Sequence, residues 1–75
     1  MPELRGVSGT QAIRALERLG FRQTRSRGSH VVLRKDTNEG SVGCAVPLHR
    51  ELAIGALRGI LRQAKVSVKA FLEAL

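Results

Sequence analysis

Residues 42–48, Val-Gly-Cys-Ala-Val-Pro-Leu, decide the fold: Val42, Cys44, Val46 and Leu48 alternate with the small residues Gly43, Ala45 and Pro47. A period of two puts one set on each face of a strand, so one face is apolar and meets a core. Pro47 has no N–H for a ladder bond, which places it at the strand's end or on an edge. Upstream, Phe21 to Leu48 is rich in β-branched residues and punctuated at Gly28-Ser29 and at Asp36-Thr37-Asn38-Glu39-Gly40, which predicts three short strands joined as hairpins. Strands two and three must share a core face, so Val31 and Leu33 join Val42, Cys44, Val46 and Leu48. His30, Val32 and Arg34 then face away from the core with Gly43, Ala45 and Pro47. A loop centred on residues 36–41 sets His30 across from Pro47, with His49 its diagonal neighbour if the strand reaches that far. The first strand has no consistent facing: with Phe21 on the core side Arg25 and Arg27 follow it there, and the opposite register buries Arg22.

Helices flank the strands. Ser8-Gly9-Thr10-Gln11 fits a capping box with Val7 and Ala12 at the staple positions. Ala12, Ile13, Leu16 and Leu19 recur at helical spacing, and Gly20 followed by Phe21 is a stop signal, with Phe21 able to fold back onto Leu16. The first helix is expected over about residues 9–19. After the strands, Ala53, Leu57, Ile60, Leu61 and Ala64 make an apolar stripe with Arg58, Arg62 and Lys65 on another side. Gly55 and Gly59 weaken that helix's interior, so either it begins near Gly55 or something packs closely there. Ser67 can cap a last short helix carrying Val68, Phe71, Leu72 and Leu75. The expected class is α+β: one domain over residues 1–75, a three-stranded antiparallel sheet with helices on one face and a short extra C-terminal helix.

A chain of 75 residues can fill one small core and no more. One cysteine, Cys44, allows no internal disulfide, and its place in the alternating strand reads as a small core residue rather than a nucleophile. No apolar run approaches the ~20 residues of a membrane span, and the start MPELRGVSG lacks a signal-peptide pattern, so a soluble cytoplasmic protein is expected, with no membrane partner. Two histidines and one cysteine without ligand spacing predict no metal site, and no glycine-rich phosphate loop opens a helix, so no cofactor is expected.

Thirteen Lys or Arg against six Asp or Glu give +7, a charge that points to a polyanion or an acidic protein partner. Six of the positive charges, Arg18, Arg22, Arg25, Arg27, Arg34 and Lys35, fall between residues 18 and 35. A merely solvated basic face is the plainer reading of the same run. Within it, Gly28-Ser29-His30 joins a tight turn to a histidine at a strand's start. RNA cleavage by a neighbouring 2′-hydroxyl needs a group to take that proton and another to protonate the leaving oxygen, and an imidazole can do either near neutral pH. Arg25, Arg27 and Arg34, with Lys35, could hold the phosphate. A pair of His30 and His49 as base and acid is conceivable; His49 reads equally as a residue that only starts the next helix. The residues alone leave His30 open between catalysis and a turn histidine that closes a hairpin. With no Trp or Tyr and only Phe21 and Phe71, there is no aromatic platform for stacking bases, so contact should be to phosphate and sugar.

Taken in order, Leu19-Gly20-Phe21, the basic run, Gly28-Ser29-His30, Val46-Pro47-Leu48-His49 and Gly55-Ala56-Leu57-Arg58-Gly59-Ile60-Leu61 leading to Ala64 resemble the HicA family of mRNA interferases over about residues 8–73. The resemblance implies a double-stranded-RNA-binding-like α-β-β-β-α fold and metal-independent cleavage of mRNA. It also implies His30 as the catalytic histidine, Gly28 and Ser29 as its turn, and neutralisation by a HicB-type antitoxin; direct DNA binding is not expected. The chain departs from the family where a glycine often separates the last two helices, having Lys65-Val66 instead, and in a shortened loop before Gly55. Two rival readings are a non-catalytic double-stranded-RNA-binding module, which would use the same fold to read RNA by shape, and a basic subunit whose only target is an acidic protein.

Overall fold

The computed structural model describes residues 3–75. Helix α1 (Gly9–Arg18) is followed by strands β1 (Arg22–Arg27), β2 (His30–Thr37) and β3 (Gly40–Pro47), then by α2 (Ile54–Ala64) and α3 (Val68–Ala74). The strands form one antiparallel sheet in the order β1-β2-β3. This is the α-β-β-β-α order with one extra helix. No helix among the described residues is long and apolar enough to cross a membrane.

Local chemistry sets the ends of α1. The Ser8 hydroxyl accepts from the Gln11 N–H at 3.1 Å and the Gln11 side chain accepts from the Ser8 N–H at 2.9 Å, closing the capping box. At the other end the Gly20 N–H donates to the Glu17 carbonyl and the Phe21 N–H to the Leu16 carbonyl, both at 3.0 Å. Gly20 supplies the left-handed φ of 102° that this double closure needs. Helix α2 ends with the same pattern of bonds, Lys65 N–H to Arg62 and Val66 N–H to Leu61, but here the left-handed residue is Lys65 at φ 56°. The departure at Lys65-Val66 therefore falls at a left-handed position where glycine is the easy choice.

The inner face of the sheet carries Val31, Leu33, Cys44 and Val46, all buried against Leu16 of α1 and Leu57 and Leu61 of α2. Cys44 is enclosed there, and burial pushes its thiol up to about 11. Leu48 does not join them. It is 47% exposed, because β3 ends at Pro47 and the Leu48 N–H turns aside to the Ser29 carbonyl. The stripe on α3 is also narrower than its spacing predicts: Phe71 is fully buried, whereas Val68 and Leu75 are exposed. An anchor absent from the periodic reading is Leu52, buried in the loop before α2, whose N–H donates to the Val7 carbonyl at 2.7 Å. Gly9 is where the start of α1 meets the end of β3. Its N–H donates to the His49 carbonyl, and a Cβ at Gly9 would collide with the Pro47 carbonyl oxygen.

Candidate active site

The β1–β2 hairpin closes through two residues, Gly28 and Ser29. Gly28 has φ 56° and Ser29 a negative φ, the arrangement that asks for glycine first. The closing pair is Arg27 and His30, and on its other side His30 faces Pro47 of β3, as the hairpin register predicts. The Leu48 N–H donates to the Ser29 carbonyl at 2.7 Å, tying the hairpin turn to the end of β3 and fixing where His30 stands. His30 is exposed.

A β-bulge settles the facing of β1. Gln23 pairs with Leu33 and Arg25 with Val32, so Thr24 is an extra residue without a partner of its own. Phe21 can then enter the core while Arg22, Arg25 and Arg27 all point to the outer face, in cross-strand rows with Arg34, Val32 and His30. Strict alternation cannot produce this, which is why the sequence reading could not place all three arginines together. The conflict disappears with one residue out of register.

The outer face is a shallow basic trough lined by Arg22, Thr24, Arg25, Arg27, Val32, Arg34 and Asp36. Arg22 reaches Asp36 at 3.4 Å, an exposed contact that holds neither residue firmly. The Arg34 guanidinium donates to the Ser41 hydroxyl at 2.6 Å. Arg25 and Arg27 form no ion pair among the described residues, so their five-donor forks remain available to an anion.

Of the residues singled out from the sequence, Arg25, Arg27 and Arg34 share the face of His30. Lys35 does not: it pairs with Val42, borders Gly20, and lies over the Phe21 ring at 5.8 Å on the helix side of the sheet. His49 is separated as well. The strand stops two residues before it, so it occupies an exposed loop, with its carbonyl bound to the Gly9 N–H rather than lying on the sheet diagonal to His30. Arg22 was hidden by the bulge and now belongs to the trough. A second set was also missed: Gly59, Arg62 and Gln63 of α2 border a groove that includes His30. Their helical spacing was visible, but only docking of α2 beside β3 brings them to the histidine.

The family described as HicA toxin of bacterial toxin-antitoxin matches residues 9–66, a span from the first residue of α1 to just beyond α2. No curated protein matches the chain. With the matched span covering the helix, the sheet, the Gly28-Ser29-His30 turn and α2, the chain belongs to the HicA toxin family.

Proposed function

We propose that this chain is the toxin of a toxin-antitoxin pair and acts in the cytoplasm as a ribosome-independent, metal-independent endoribonuclease on mRNA. His30 acts as general acid or base, and Arg25, Arg27 and Arg34 bind phosphate. The observation that carries this reading is the row in which exposed His30 stands directly across from Arg27, beside the trough that Arg25 and Arg34 line. In the reaction a 2′-oxygen attacks the adjacent phosphorus, the O2′–P bond forms and the P–O5′ bond breaks. The 2′-hydroxyl loses its proton to a base and the departing O5′ gains one from an acid, leaving a 2′,3′-cyclic phosphate and a 5′-hydroxyl. An imidazole can perform either transfer. The arginines offset the charge that grows on the non-bridging oxygens. Basic side chains and an exposed histidine on one open face also suit an acidic partner, and a HicB-type antitoxin that covers the β1–β2 region and His30 would silence the toxin.

A purified transcript incubated with the protein and a chelator tests the chemistry. The wild type should cut and leave cyclic phosphate ends, while His30→Ala should bind RNA without cutting it and should no longer arrest growth. Equal cutting by His30→Ala would remove the histidine from the mechanism. An uncut transcript with RNA binding retained would favour the non-catalytic double-stranded-RNA-binding module.

A further inference from the structure

His30 stands between two concavities: its cross-strand partner Arg27 lines the arginine trough, and His30 itself lines the other. This second concavity, of about 460 Å³, lies between the sheet and helix α2, with His30 of β2 and Ala45 and Pro47 of β3 on one side and Gly59, Arg62 and Gln63 on the other. Its size falls within the ~300–1,000 Å³ of ordinary ligand sites. Gly59 lies in the interior of α2, where glycine loosens a helix relative to alanine. Nothing in the fold requires glycine there, because a Cβ at Gly59 meets no protein atom within 4 Å. A longer side chain would instead project into the groove beside His30. One turn along the same wall, Arg62 is exposed and has no ion-pair partner among the described residues. The groove thus has a cation on its helix wall, an imidazole on its strand wall whose cross-strand partner Arg27 belongs to the trough, and small residues on both walls, Ala45 and Pro47 facing Gly59. That arrangement suits a ribose or base with a phosphate attached, since the guanidinium can clasp the phosphate while small residues let the ring approach closely.

Building on the nuclease reading above, we propose that a single RNA strand crosses His30 from the arginine trough into this groove, seating one nucleotide against Gly59 with its phosphate held by Arg62. Gly59 is then a position kept free of a side chain for the substrate, and Arg62 is a positioning residue.

Gly59→Leu, Arg62→Gln and Gly55→Ala separate this role from a structural one. Gly55 lies one turn earlier in α2, a Cβ there also meets nothing within 4 Å, and it does not line the groove. Gly59→Leu and Gly55→Ala should hold the melting temperature or raise it by up to ~5 °C, because each replaces a helical glycine. In cleavage of a short defined RNA, Gly59→Leu and Arg62→Gln should raise KM at least tenfold, with Gly55→Ala at the wild-type value. Fluorescence anisotropy with the same RNA, read in a His30→Ala background, should show the same order of binding loss. A wild-type KM and wild-type binding in folded Gly59→Leu would overturn the groove. If the wild type cuts no RNA, the nuclease reading fails, and the anisotropy series alone decides whether RNA enters the groove.

Discussion

Arg27 and His30 face each other across the last pair of the β1–β2 ladder, one residue on either side of the Gly28-Ser29 turn. Directly opposed residues share a face, with Cβ atoms ~4.5–5.5 Å apart. A phosphate gripped by the Arg27 fork is thereby brought beside an imidazole that another bond, from the Leu48 N–H to the Ser29 carbonyl, holds in place. Arg25 is the diagonal neighbour, since it pairs with Val32, two residues along β2 from His30. The turn therefore does more than reverse the chain. It sets a proton-transfer group against an anion grip, and the rest of β1 extends that grip along the strand.

The trough predicts a difference between two kinds of cation. Each of Arg25→Gln and Arg27→Gln should weaken RNA binding across sequences and reduce the slope of log affinity against log salt by ~0.7, the loss expected for one single-strand phosphate contact. Lys35→Gln should leave the slope unchanged, because Lys35 lies on the helix side of the sheet against Phe21. Binding titrations at several salt concentrations read this directly. An equal loss of slope for Lys35→Gln would mean that RNA reaches the helix face and that the trough is not the principal contact.

Cys44 predicts a loss of stability at alkaline pH. Burial raises its thiol from 9.0 to about 11, so between those values the unfolded chain has lost a proton that the folded chain still holds. A group whose pKa is higher in the folded state stabilises below its unfolded value and ceases to do so as pH climbs through the folded one. Denaturation of the wild type should therefore become easier from pH 9 to 11. Cys44→Ala should show a flatter dependence over the same window, since it lacks the buried thiol. Parallel curves would remove the thiol as the cause.

Lys65 predicts a stabilising substitution. It holds a left-handed φ of 56° at the turn between α2 and α3, a conformation that disfavours a side chain. Gly20 fills the equivalent place after α1. Lys65→Gly should raise stability by ~1 kcal/mol, the left-handed strain relieved less the extra freedom gained by the unfolded chain. A urea midpoint that falls on this substitution would show that the lysine makes a contact worth more than the strain.

These residues also show which parts of the molecule could be read from the chain. The capping box at Ser8, the stop at Gly20-Phe21 and the pairing of His30 with Pro47 are local or nearly so, fixed by hydrogen-bond chemistry within a few residues or by one hairpin register. The arginine face of β1 was not legible because a bulge at Thr24 breaks the period of two on which facing arguments depend. Leu48 fails for a related reason: its alternation continues past the point where Pro47 ends the ladder. The α2 wall of the groove could not be read at all, since the spacing of Gly59 and Arg62 says which side of a helix they share but not what that side meets.

The bulge yields the sharpest structural test, because deleting its extra residue should regularise the strand and leave its facing unchanged. Thr24 has no partner in β2, and its hydroxyl donates to the Val32 carbonyl at a long 3.4 Å, so its side chain contributes little. Thr24→Ala should accordingly change stability by less than ~0.5 kcal/mol, as for an exposed surface position. Removing the residue restores strict alternation from Phe21 to Arg27. Without Thr24, Phe21, Gln23 and Ser26 alternate inward and Arg22, Arg25 and Arg27 outward, so Phe21 keeps its place in the core and the three arginines keep the outer face. A changed facing would be easy to detect, because loss of a buried phenylalanine alone costs ~3–5 kcal/mol, a large share of the stability of so small a domain. Deletion of Thr24 should thus leave a folded protein that binds RNA as the wild type does, with a urea midpoint close to that of Thr24→Ala. A deletion variant that unfolds or loses RNA binding would mean that β1 needs the bulge itself, and not only its facing, to present the arginines.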